Sequence, residues 1–64
     1  MKPTKGRIVF YQPYGIVESE PAIIQKVRDN GNVDLFVFSP GGVYLARNVV
    51  EGEKEAQWSW PPRV

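Results

Sequence analysis

Apolar and polar residues alternate along this chain in short runs rather than long ones. "GRIVFYQ" (Gly6 to Gln12), "PAIIQKVR" (Pro21 to Arg28), "NVDLFVF" (Asn32 to Phe38), "VYLARNVV" (Val43 to Val50) and "QWSW" (Gln57 to Trp60) are each rich in β-branched or aromatic residues. None sustains a helical period, and Gly, Pro, Asn or Ser bound them, so the pattern predicts five β-strands.

The punctuation between the runs predicts how they connect. After the first run, Pro13 fixes its own φ and Gly15 can take φ > 0, and a polar loop, "VESE", follows. Pro21 cannot donate to a ladder and so belongs at a strand start. "DNGN" between two apolar runs is a strong hairpin signal, and its Asn30-Gly31 pair predicts a type I′ turn closing a hairpin over Ala22 to Phe38. "SPGG" marks a second turn, which makes three consecutive strands a meander. The acidic "EGEKEA" leaves room for one helical turn near Glu53 to Gln57, and Pro61 and Pro62 terminate the last strand. There are no internal repeats and no low-complexity tract.

Five short strands in 64 residues cannot build two packed sheets. The predicted fold is therefore all-β, a single domain over residues 1–64 in which one bent sheet curls into a small five-stranded SH3-like barrel. An OB-like barrel or an open twisted antiparallel sheet is the alternative.

Side chains alternate across a strand, so Val33, Leu35 and Val37 share one face and Asp34, Phe36 and Phe38 the other. The first set is expected inside. Phe36 and Phe38 then stand outside, each forgoing on the order of 2 kcal/mol of burial. Val9 with Tyr11 and Ile8 with Phe10 compete in the same way, and parity alone does not choose between them. Ala22 and Ile24 share a face that Val27 does not, which predicts either a bulge near Gln25 and Lys26 or an outward Val27. Trp58 and Trp60 emerge on one side of their strand. At least one is expected to pack against the barrel, because so small a core gains from each large ring. Two other uses remain open: an exposed aromatic patch of Tyr14, Trp58 and Trp60, and a Trp60-Pro61-Pro62 polyproline tail docking on another molecule.

A chain this short hides only about 60% of its unfolded surface, and with no cysteine and no histidine it has neither disulfides nor zinc to supplement the core. Self-association remains. Eight basic and seven acidic side chains leave a formal charge of +1, too little to hold a polyanion by net charge alone. The cations are nevertheless unevenly spread, with Lys2, Lys5 and Arg7 near the start and Glu51, Glu53 and Glu55 in a late loop. No apolar run approaches the roughly 20 residues of a membrane span, and no signal-peptide core stands at the N-terminus, so a membrane partner is not expected. Met1 and Val64 read as the bounds of a short reading frame.

The usual general bases, thiol nucleophiles and zinc ligands are missing. Glu18 and Glu20 stand in a loop, and the late glutamates lack the glycine placement and ligand order of an EF-hand. Neither "SPGG" nor "GNV" has the spacing of a phosphate loop. No enzyme, metal or cofactor is expected. Nucleic-acid contacts would draw on Lys5, Arg7, Lys26, Arg28 and Arg47 with stacking on Phe10, Tyr11 or Tyr14. A protein interface or homo-oligomer contact would draw on the surplus apolar residues Ile8, Phe10, Phe36, Phe38 and Tyr44. The second reading is favoured.

"KGRIVFY" followed by "PAIIQKVRDNGNVDLFVF" resembles the small barrels of the Tudor, KOW and chromo-like superfold, although no residue set matches the aromatic cage of Tudor modules. Over most of the length, "MKPTKGRIVFY", "NVDLFVFSPGG" and "WSWP" are similar to short reading frames of tailed-bacteriophage genomes. The resemblance implies a viral protein made in a bacterial host, located in the host cytoplasm or the virion, and it brings no catalytic residues with it. Its expected part is an assembly component or a host-directed modulator.

Overall fold

A computed structural model of the chain describes residues 2–15 and 18–61. Five strands, β1 (Ile8–Gln12), β2 (Glu20–Val27), β3 (Val33–Ser39), β4 (Gly42–Glu51) and β5 (Gln57–Ser59), close into a barrel in the order β1-β2-β3-β4-β5. Strands β1 to β4 form an antiparallel meander. Closure comes from β5, antiparallel to β1 and parallel to β4 through Val50↔Gln57 and Glu51↔Trp58. This all-β barrel is consistent with an SH3-like small barrel and excludes the open-sheet alternative. No helix occurs among the described residues, and the segment between β4 and β5 consists of bends and turns rather than the helical turn expected near Glu53.

The core consists of alternate residues from all five strands: Val9, Tyr11, Ala22, Ile24, Val33, Leu35, Val37, Val49 and Trp58. Val33, Leu35 and Val37 are fully buried, as alternation predicts. In β1 the choice falls on Val9 and Tyr11, because Val9 pairs with Ala22 and Tyr11 with Trp58, both inward-facing. Trp58 is 1% exposed and meets Trp60 edge-on, with ring centroids 5.3 Å apart. Trp58 is thus core and lies beyond the reach of a partner, which removes it from the candidate aromatic patch. Its buried Nε1–H has no hydrogen-bond partner among the described residues. Of the Trp60-Pro61-Pro62 segment on which the polyproline-tail reading rests, Pro62 lies outside the described residues.

Two irregularities shape the sheet. Between Ile24 and Lys26 the β2–β3 register shifts, leaving Gln25 as the extra residue of a bulge, so that Val27 pairs with the buried Val33 and has inward parity, although at the end of β2 it is still 37% exposed. Of the two expected solutions to the parity conflict, the bulge is the one that occurs. The second shift lies in β4, where Arg47 and Asn48 intervene between the pairs Leu35↔Ala46 and Val33↔Val49. Asn48 takes φ 56°, a left-handed conformation that asparagine tolerates better than most residues.

The β2–β3 hairpin forms where "DNGN" predicts it, with a different turn. Gly31 N–H donates to Arg28 O and Arg28 N–H to Asn32 O, which makes a three-residue loop of Asp29, Asn30 and Gly31. Only Gly31 has positive φ there, 90°, whereas a type I′ turn would require it of Asn30 as well. The arrangement is a type I turn followed by a glycine bulge. Asn30 Oδ1 accepts from Asn32 N–H and holds the loop.

Candidate interaction face

The register of the ladders arranges the outward side chains in rows across the meander. Ile8 pairs with Ile23, Ile23 with Phe36, and Phe36 with Leu45, so one apolar row crosses four strands. One step along the same ladders, Phe10 pairs with Pro21 and Phe38 with Val43. These two rows contain no charged side chain. Ile8 is 60% exposed, Val43 59%, Phe36 42% and Phe38 40%, while Ile23 and Phe10 are half-buried. Contiguous exposed apolar surface of this kind is uncommon on a soluble monomer unless something binds there.

Four of the five interface candidates therefore share this face: Ile8, Phe10, Phe36 and Phe38. Tyr44 does not. It pairs with Val37 and so has inward parity, yet it is 42% exposed because it lies where β4 has no neighbour beyond β3 among the described residues. Pro21, Ile23, Val43 and Leu45 complete the face and were not among the candidates. The signal for Ile23 was present, since its parity is opposite to that of Ala22 and Ile24. Trp60 borders the face: with Phe10, Ser59, Glu51, Gly52 and Glu53 it lines a shallow cavity at the β1–β5 seam.

Tyr11, Tyr14 and Tyr44 lie toward another end of the barrel, near Glu20, the partner of Tyr11. Burial, with Tyr44 and Tyr14 nearby, pushes the Tyr11 phenol above its ordinary value. Burial and the Glu20 carboxylate do the same to Tyr44. Tyr14 is itself 74% exposed, with its neighbour Gly15 N–H donating to Glu55 Oε2.

The basic candidates concentrate away from those tyrosines. Lys5 and Lys26 line one groove with Pro3, Thr4, Gln25 and Val27, while Lys26 and Arg28 line another with Asp29 and Asn30. Arg7 O accepts from Ile24 N–H beside them. Arg28 is committed elsewhere: its Nε donates to Asp34 Oδ1 at 2.8 Å and its Nη2 to Asp34 Oδ2 at 3.3 Å. Arg47 is exposed at the β4 bulge. Of the stacking candidates Phe10, Tyr11 and Tyr14, the two tyrosines lie at the far end of β1 from Arg7, which precedes the strand.

Sequence alternation put Asp34 outside with Phe36 and Phe38, but only 6% of it is exposed. Besides the Arg28 pair, its Oδ1 accepts from the Asn48 backbone N–H at 2.9 Å, and Asn48 Oδ1 accepts from Asn32 Nδ2 at 3.0 Å. The Arg28 hydrogen bond, then that from Asn48, hold the Asp34 carboxyl below the usual carboxylate value. This network joins the hairpin loop to the β4 bulge. Its members satisfy one another, which is the signature of a structural group.

Among the described residues, no three acidic side chains gather where they could hold a metal ion, and no helix is long and apolar enough to cross a membrane. Barrel and face together define a small β-barrel with an apolar outer sheet surface. No protein-family model matches the chain, and no curated protein or solved structure matches it.

Proposed function

We propose that this protein is a non-enzymatic binding module that contacts protein through the outer face of its meander. The observation that carries the reading is the pair of charge-free rows containing Ile8, Phe36, Phe38 and Leu45, aligned across four strands. A face built for water would alternate these positions with lysines and glutamates. The sequence likeness to tailed-bacteriophage reading frames supports a phage-encoded assembly component or host-directed modulator, acting in the host cytoplasm or the virion.

A photo-cross-linking residue at Ile8 or Phe38 tests this directly in bacteria expressing the full chain. Discrete protein adducts are expected from both positions and none from Asp29, in the hairpin loop. Absence of adducts at Ile8 and Phe38, or equal yields at Asp29, would count against it. The grooves lined by Lys5 and Lys26 support a second reading, nucleic-acid binding. Salt-dependent retention on single-stranded DNA, lost on Lys5→Ala with Lys26→Ala, would favour that reading.

A further inference from the structure

Three successive residues of β4, Val43, Tyr44 and Leu45, are all exposed, at 59%, 42% and 37%. Alternation alone would hide one face, so among the described residues a sheet neighbour is missing. Among the described residues β4 pairs with β3 from Gly42 to Val49, whereas β5 meets it only at Val50 and Glu51. The second edge of β4 is open along its first half. Proteins usually guard such an edge with charge, proline or a bulge. Here those devices begin only at Arg47 and the Asn48 bulge, and "GVYLA" (Gly42 to Ala46) has none of them.

The backbone parity of this edge follows from β2. Gly6 N–H donates to Ile24 O and Ile24 N–H to Arg7 O, so the polar groups of Ile24 turn toward β1. Those of Ile23 must turn toward β3, and the pairs Ile23↔Phe36 and Val37↔Tyr44 carry the alternation to β4. Tyr44 thus bonds to β3, and Val43 and Leu45 aim their N–H and C=O groups outward.

From this we infer that β4 is a pairing edge for a second copy of this chain, antiparallel about a two-fold axis at Tyr44. In that register Val43 faces Leu45 of the second copy and Leu45 faces its Val43. Both are hydrogen-bonded pairs, giving about four new backbone bonds. Tyr44 faces its own symmetry mate in the closer, non-bonded kind of pair, and Arg47 falls opposite Gly41, so no like charges meet. The same operation runs the row ending at Leu45 into the row beginning at Val43 of the second copy. The contact face doubles without a break, an isologous arrangement a foreign strand would not reproduce. This extension rests on the proposed role of the face. The short pairing places the dimer at the weak end of specific interfaces, with dissociation on the order of micromolar.

Sedimentation of the full chain across a concentration series tests the inference. Wild type is expected to pass from monomer to dimer. Val43→Pro should stay monomeric with an unchanged circular dichroism spectrum, because the N–H it removes points away from β3. Ile8→Asp, on the face but far from the edge, should dimerise as wild type while losing its cross-linked partner. A wild type that stays monomeric, or a Val43→Pro protein that still dimerises, overturns the inference. A dimer lost in Phe36→Asp but kept in Val43→Pro would move the joint to the face, leaving the protein-contact reading intact. Amide exchange in wild type needs no variant to fold: the Val43 and Leu45 amides should gain protection with concentration, and constant fast exchange would refute the pairing.

Discussion

Asp34 accepts a hydrogen bond from the backbone N–H of Asn48, 2.9 Å away, and this bond fixes the bulge that bends β4. A bulge frees a backbone donor from the ladder, and the carboxylate satisfies it while also holding Arg28. Replacing Asp34 with Ala leaves the Asn48 donor and the Arg28 guanidinium without their acceptor. The melting temperature should fall by several degrees, and Asp34→Asn should recover part of the loss. Thermal unfolding followed by circular dichroism checks both.

The same carboxylate gives the fold an acid limit. Its pKa is depressed in the folded state, so its contribution is complete above the unfolded value of about 4 and is lost as pH falls through the lower folded value. Wild-type stability should therefore decline below about pH 4, and Asp34→Asn should flatten that decline. Equal slopes for the two proteins in urea titrations at a series of acid pH values would contradict the assignment.

At alkaline pH the sign reverses. Tyr11 and Tyr44 both have phenols raised by burial, so the stability they contribute is intact below the ordinary tyrosine value of about 10 and lost as pH rises through their folded values. Ultraviolet absorbance of the phenolate should show late ionisation in the folded protein, with Tyr11→Phe removing one of the late steps.

Much of this architecture was legible in the sequence, and the misses have physical causes. "DNGN" located the β2–β3 hairpin, and period-2 alternation chose Val33, Leu35 and Val37 for the interior. The turn type was missed because Asp29 provides a third loop residue, which spares Asn30 a positive φ. That Tyr44 lies off the face shared by Ile8, Phe10, Phe36 and Phe38 was not legible, because Val43, Tyr44 and Leu45 are all apolar and only the pairing with Val37 reveals its parity. Asp34 looked like a solvent residue because the groups that cover it, Arg28 and Asn48, are brought to it by two bulges. That Ile8, Ile23, Phe36 and Leu45 form one row is a property of register between strands, which alternation within a single strand does not specify.

The two tryptophans should differ sharply on truncation. Trp58→Ala removes the largest fully buried side chain and should cost about 3–5 kcal/mol, enough to unfold a chain this small. Trp60→Ala, which removes a half-buried ring packed edge-on against Trp58, should cost about 1–2 kcal/mol. Urea unfolding measures both, and equal losses would refute the division into core and border.

Gly52 is the glycine whose neighbours decide its identity. Its N–H donates to Trp58 O, and a Cβ there would overlap the Gln57 side chain, whose Oε1 accepts from Lys54 N–H. Gly52→Ala should push Gln57 aside at a cost of about 1 kcal/mol. The local readout is faster amide exchange at Lys54, with the β1–β2 ladder unchanged.

In the proposed reading the outer rows belong to a partner rather than to the fold. The paired substitution Phe36→Thr with Phe38→Thr, combined with a photo-cross-linker at Ile8, asks that most directly. Abolition of the adduct is the expected result, with unfolding free energy reduced by no more than about 2 kcal/mol. A protein whose adduct survives, or one that unfolds outright, would contradict the account.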